Sequence, residues 1–410
     1  MNDVRNSGLI GGKKAKIKSL EGLRGVAAMI VVFSHLKITF FSNMYLSASG
    51  VAGELGNRFL GGLTNGFFSV WLFWLMSGFV LSLKIHSERD PVLAISRVRE
   101  AAIKRYPRLL PPVLVSVLIA WLLLVSGLMS NDLLGKSLQL SESGWPRQFF
   151  RFEPSLMGAL KGGAWQAFFI YDPSRSYNPV LWTMEKEFYG SIFLFGGLAV
   201  FGKWRFRGWA YLLTVVVNHK LGLNWLNSFV IGGLLCDFYV NAEEVCYRYS
   251  ALAGAVRRLF EPKLVTSILF VVVVLAMVGP PEKGSDVIYL SCATAMTAFV
   301  VWDANASRFL GSSLFVFLGK ISFGVYLMHL PVIFSIGHPL YQICSGIIPG
   351  EGAKALACIA LTGLSLVAGW GLWYVADRPA VALISRLSTA GGFNAWAANL
   401  KCDAGRTKRD

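Results

Sequence analysis

Arg24 and His35 stand eleven residues apart inside one apolar stretch. Eleven steps of 100° overshoot three rotations by only ~20°, so in a helix both side chains leave one face, ~16 Å apart along the axis. An ionisable group at membrane depth costs at least ~2.5–3.5 kcal/mol and needs a reason to be there. Two readings are open. Arg24 is a snorkelling interfacial cation and His35 a packed, hydrogen-bonded polar residue. Alternatively, Arg24 grips an anion at the inner surface while His35, kept uncharged by burial, serves as a base deeper down.

Three further groups could join them. The run Asn178–Pro179–Val180–Leu181–Trp182–Thr183–Met184–Glu185–Lys186–Glu187–Phe188–Tyr189 carries two carboxylates and a lysine into an apolar segment. Glu185, Lys186 and Glu187 either screen one another at the interface, or Glu187 orients a histidine from another helix, as a carboxylate does in a catalytic dyad. Ser322, Tyr326 and His329 are spaced i, i+4, i+7 and share one helical stripe, with His329 roughly level with His35. His329 is either a satisfied structural or interfacial residue or part of the same site. Arg105 and Arg108 flank Tyr106–Pro107, and the planar guanidinium fork suits phosphate, although basic residues ahead of a span are routine. Pro107 is expected to limit helix there. Asp237, Asp303 and Lys320 lie near cytoplasmic ends, where structural pairing is the better reading.

These residues need elements to hold them, and the composition says which kind. Of 410 residues, 54% are hydrophobic and only 15% charged, yet the net charge is +16 and mean hydropathy +0.54. Disordered chains lack such apolar content. Nucleic-acid binding would explain the charge but not the apolar excess. Long apolar helices joined by basic loops explain both, which predicts an all-α polytopic membrane protein.

Spans are expected at 20–41, 66–83, 111–128, 180–201, 209–220, 222–240, 264–280, 286–302, 314–337 and 354–376, the fifth being short enough to be tilted or re-entrant. The first segment holds Arg24 and His35 and has no small-residue cleavage site, so it should be retained. Of the 39 Lys and Arg residues, 28 fall in one alternating set of connections and nine in the other. Because cytoplasmic loops retain Lys and Arg, that asymmetry puts both termini in the cytoplasm, with about ten transmembrane helices. The loops near 203–207 and 241–263 are both basic, so an even number of crossings must separate them. The organisation expected is a basic segment 1–19, a membrane domain 20–380 and an interfacial, basic tail 381–410. The basic connection 84–110 could also hold a polyanionic ligand.

The six cysteines form no CxxC or His/Cys cluster, so neither a structural metal nor a disulfide framework is expected. Walker and dinucleotide fingerprints are lacking. Residues 129–179, rich in aromatics, are too short for a separate enzyme domain but long enough to cover a cavity mouth.

Taken in order, these segments resemble the acyltransferase 3 family of integral-membrane O-acyltransferases. The resemblance rests on Leu20–Glu21–Gly22–Leu23–Arg24–Gly25 with His35, Phe73–Trp74–Leu75–Met76–Ser77–Gly78–Phe79, and Arg105–Tyr106–Pro107–Arg108. It continues through Trp182–Thr183–Met184 with Glu187, Ser322 to His329, and Asp377–Arg378–Pro379. Thr183 stands where the family commonly has Ser, and Asp377–Arg378–Pro379 departs from its usual Glu-x-Pro-like close. The resemblance implies transfer of an acyl group, acetyl above all, from cytoplasmic acyl-CoA to a hydroxyl of a carbohydrate or glycolipid acceptor. It implies His35 and Glu187 as catalytic residues, Arg24, Arg105 and Arg108 at the CoA phosphates, and Trp182, Tyr326 and His329 as acceptor-side or supporting residues. No metal and no nucleic acid is implied, and the setting would be a bacterial cytoplasmic membrane. The rival reading is a transporter or flippase for a sugar or lipid-linked substrate, which intramembrane charge suits equally well.

Overall fold

The computed structural model describes residues 17–42, 61, 64–241 and 286–389, and among these all regular structure is helical. Helix α1 is Lys18–Phe40, α2 is Gly66–His86, α3 is Pro91–Val125 and α4 is Asn131–Ser137. Next come α5 (Trp182–Phe201), α6 (Arg207–Lys220), α7 (Asn224–Val240), α8 (Asp286–Trp302) and α9 (Ala304–Leu310). The described residues close with α10 (Ser313–Ile347) and α11 (Glu351–Leu372), which passes through a π-helical turn, Trp373–Asp377, into α12 (Arg378–Thr389). The span expected at 264–280, the cations between 241 and 263, and most of both terminal segments lie outside the described residues.

Among the described residues five helices are long and apolar enough to cross a membrane: α1, α2, α3, α10 and the continuous Glu351–Arg386. A sixth arises if α8 and α9, bent by 92° at their junction, form one broken span. This makes the chain an integral membrane protein by length and composition. The remaining expected spans within the described residues are helices but fall short of that test. At ~1.5 Å per residue α6 reaches only ~21 Å against a hydrocarbon core of ~30 Å. Helix α5 has the length, but Glu185, Lys186 and Glu187 occupy its first turns.

One sequence expectation needs correction. Residues 84–110, taken as a loop, are mostly helical, because α3 starts at Pro91. Asp90 caps it, accepting from the N–H groups of Val92 and Leu93 at 2.9 and 3.4 Å. Proline at the first helical position is preorganised for that role. Pro107, Pro111 and Pro112 all lie inside α3. Pro107 therefore does not end the helix; in membrane helices neighbouring elements and local adjustment absorb the lost bond.

Close backbone approach sets the packing around the site. A Cβ at Gly319 of α10 would sit 1.9 Å from the Glu21 carbonyl oxygen of α1, and one at Gly324 would sit 2.1 Å from the Gly369 oxygen of α11. Small residues let helices close where lipid supplies little hydrophobic drive between them. Helix α10 thus packs tightly on α1 and α11, while α2 packs on α7, α8 and α1. The buried apolar residues form two clusters, one around Val113, Val325 and Phe334 and one around Leu75, Phe79 and Phe229. Phe73 touches both.

Residues 129–178 fold onto α10. The Ser130 N–H donates to the Phe334 oxygen at 2.7 Å, and Asn131 Nδ2 donates to the Pro146 oxygen at 2.8 Å. Arg147 bridges the Asp132 carboxylate (2.9 Å) and the Leu140 oxygen (3.0 Å). Hydrogen bonds from Lys136 and Arg147 hold the Asp132 carboxyl below its ordinary pKa.

Candidate active site

A cavity of about 350 Å³ opens between the two apolar clusters. Its walls come from α1, α2, α3, α5, α10 and the 373–381 turn. One end is charged, with Arg24, Arg105, Arg108, Lys320 and Arg378 set against Glu21, Glu187 and Asp377. Toward the other end the lining becomes Phe73, Thr183, Met184 and Tyr326. Three residues beyond Tyr326 on α10 stands His329, fully buried.

His329 Nε2 lies 3.0 Å from His35 Nδ1, and the two rings are 4.9 Å apart. Backbone carbonyls fix the tautomers, since a carbonyl can only accept. His329 Nδ1 reaches the Val325 oxygen at 3.2 Å, so Nδ1 carries the hydrogen and Nε2 is a free acceptor. His35 Nδ1 reaches the Val31 oxygen at 3.0 Å, so it too is protonated and is shared between Val31 and His329. That leaves His35 Nε2 unprotonated and able to take a proton.

Glu187 engages different partners from those expected. Its Oε1 accepts from Ser77 Oγ at 2.7 Å and forms a buried ion pair with Arg105. Arg105 also donates through Nε to Ser191 Oγ at 2.8 Å. Among the described residues no histidine bonds to Glu187; the partner of His35 is His329. A carboxylate and a guanidinium from α5 and α3 thereby neutralise each other on the cavity wall, where either alone would be costly. Lys186 turns away to lie over the rings of Trp182 (5.2 Å) and Trp74 (5.9 Å), so the three adjacent charges of α5 do not form one cluster.

The other candidates separate in the same way. Arg24 and Arg108 line the cavity without a hydrogen bond or ion pair among the described residues, and Lys320 does the same rather than pairing structurally. Asp237 is paired with Arg207 in two-pronged fashion (2.5 and 3.0 Å), and Asp303 caps α9. Tyr326 lines the cavity, its hydroxyl 2.8 Å from Thr183 Oγ1 and donating to the Val180 oxygen at 3.0 Å. Trp182 stands behind the wall, edge-on to Trp74 at 6.0 Å. No group of three or more metal-ligating side chains occurs among the described residues.

Sequence reasoning missed several members. Trp145 stacks on His35, with ring centroids 5.1 Å apart and planes at 26°. Nothing local to Trp145 signals this, because it lies 110 residues away in a 3-10 turn of the 129–179 segment. Ser77 and Ser191 were also unforeseen as partners of the Glu187–Arg105 pair. The Ser77–Gly78 dipeptide inside an apolar run was the one available hint.

Comparison with known proteins agrees with this arrangement. The acyltransferase domain family matches residues 17–374. An O-acetyltransferase, PaAT-1 of Phomopsis amygdali, is 23% identical over 394 residues, covering 84% of this chain and 78% of its own length. No solved structure matches. A family match running from the foot of α1 to Tyr374 takes in the α1, α2, α3, α5 and α10 walls of the cavity, and the chain belongs to the acyltransferase 3 family and is an O-acyltransferase enzyme.

Proposed function

We propose that this O-acyltransferase takes an acyl group, acetyl above all, from acyl-CoA on the cytoplasmic side and moves it to a hydroxyl of a carbohydrate or glycolipid acceptor. Ten crossings with both termini in the cytoplasm are part of the same proposal and rest on the loop charge; a bacterial inner membrane as the setting rests on the family resemblance. The observation that carries it is the His35–His329 pair just beyond the apolar end of a cavity whose opposite end holds Arg24, Arg108 and Lys320 without a hydrogen bond or ion pair among the described residues. Free guanidinium and ammonium groups suit the phosphates of a nucleotide donor. The apolar lining between them and the histidines suits a pantetheine arm.

His35 Nε2 accepts the proton of the acceptor hydroxyl as its oxygen attacks the thioester carbonyl. The oxygen–carbon bond forms, the carbon–sulfur bond breaks, and the proton passes to the CoA thiolate. The imidazolium formed in between keeps its Nδ1–H on the Val31 carbonyl and His329 Nε2, which spread the positive charge. Attack by His35 itself, giving an acyl-histidine that the acceptor then resolves, uses the same groups. Tyr326 borders the acceptor side. Trp145 covers the face of His35 and excludes water from it.

The test is a transfer assay on the purified membrane protein with labelled acetyl-CoA and hydroxylated glycans, read as free thiol and as labelled product. Acceptor-dependent thiol release with matching product is expected. Gradient-driven sugar uptake without any CoA requirement would overturn the reading in favour of a transporter.

A further inference from the structure

Helix α10 contains Pro331, two residues beyond His329. Proline has no N–H, so the carbonyl four residues earlier, that of Leu327, loses its helical donor. Leu327 is fully buried, and a buried carbonyl without a partner is destabilising. Asn178 replaces the donor: its Nδ2 lies 2.8 Å from the Leu327 oxygen. Because the carbonyl only accepts, the amide orientation is fixed, and Asn178 Oδ1 is left buried with no hydrogen-bond partner. Asn178 is itself fully buried, so it keeps one bond and forgoes the other.

The turn that Asn178 completes is the one that carries the site. Tyr326 and His329 flank Leu327, and His329 Nδ1–H is anchored to the Val325 oxygen in the same turn. Immediately after Asn178, the Val180 carbonyl and Thr183 hydroxyl bond to Tyr326. The stretch 178–183 is thus tied along one turn of α10 and then leads into α5, which carries Glu187. The same device recurs one proline later, where Ser130 Oγ donates to the Ser335 carbonyl (3.1 Å) that Pro339 leaves free.

We infer that Asn178 is a positioning residue: by supplying the donor that Pro331 removes, it sets the turn that aims His329 Nε2 at His35. This rests on the reading of His35 as the base, and a double-mutant cycle tests it. Asn178→Ala orphans the Leu327 carbonyl. In a Pro331→Ala background residue 331 regains its N–H and can bond that carbonyl itself, so the side chain of Asn178 becomes redundant. Asn178→Ala alone is expected to lower kcat about tenfold with an unchanged KM for acetyl-CoA, and less than about twofold in the Pro331→Ala background. Asn178→Asp, whose carboxylate cannot donate, should behave as Asn178→Ala. Unfolding temperatures of the same proteins in detergent should show the same non-additivity. Equal losses in both backgrounds, or unchanged kcat for Asn178→Ala, overturn the inference. Wild-type protein that moves no acyl group would sink the proposed function instead, and the unfolding cycle would still decide the bond.

Discussion

His35 Nδ1 and His329 Nε2 are 3.0 Å apart although 294 residues separate them in the chain. The distance exists because Gly319 lets α10 lie against the backbone of α1 at Glu21, about four helical turns before His35 on α1 and about three before His329 on α10. With Nδ1 of His329 bound to the Val325 carbonyl, its Nε2 is the acceptor that a carboxylate supplies in more familiar dyads. The neutral acceptor suits a buried place, where an extra carboxylate would be costly.

His35→Ala should abolish acyl transfer, by roughly 10²–10⁴-fold, while the protein still inserts. His329→Ala should cut kcat by about 10²-fold and leave the KM for acyl-CoA nearly unchanged, because it acts on the base and not on the donor. Because the base must be neutral, kcat/KM should rise with pH and level off once His35 is deprotonated. Steady-state kinetics over a pH series decides this, and full activity of His35→Ala would remove it from the mechanism.

Arg105→Ala leaves Glu187 as an uncompensated buried charge and should destabilise the protein by about 3–5 kcal/mol. Adding Glu187→Gln should recover part of that loss, since no charge is then stranded. Thermal unfolding in detergent reads both, and a milder double mutant than single mutant is the expected pattern.

Arg108→Ala should behave differently from Arg105→Ala, because Arg108 has no hydrogen-bond partner among the described residues to strand. Loss of one charge-assisted phosphate contact should raise the KM for acyl-CoA about tenfold, with kcat held and the effect shrinking at high salt. A stability loss equal to that of Arg105→Ala would contradict the division between them.

Trp145→Ala uncovers one face of His35. Water then competes with the acceptor, so thiol release should outrun product formation, and their ratio measured in one assay should rise well above one.

Gly319→Ala places a methyl where the Glu21 carbonyl now lies, and Gly346→Ala meets nothing within 4 Å. The first should lower the unfolding temperature and the activity together. The second should do neither.

Much of this was legible in the chain. The Arg24–His35 interval fixes two side chains on one face because helical geometry repeats without reference to anything else. The stripe of Ser322, Tyr326 and His329 is local in the same sense. The apolar runs located the helices, and among the described residues five of these, or six with the bent α8–α9 pair, are long and apolar enough to cross a membrane. The prolines misled for a local reason: Pro107 reads as a stop, but packing around α3 absorbs it.

Pairing was not legible. Sequence alone determined that this is a helical membrane protein with histidines, a glutamate and arginines at costly depth, and that its ordered motifs resemble one family. Only the tertiary structure decided that His35 meets His329 while Glu187 meets Arg105, that Trp145 covers the base, and that Arg24, Arg108 and Lys320 line the cavity without a hydrogen bond or ion pair among the described residues. Helical periodicity sets the direction of a side chain on its own axis, whereas partner choice depends on how helices cross and how closely they approach. In this protein the approach is set at Gly319 and Gly324, where a single added carbon would hold the helices apart.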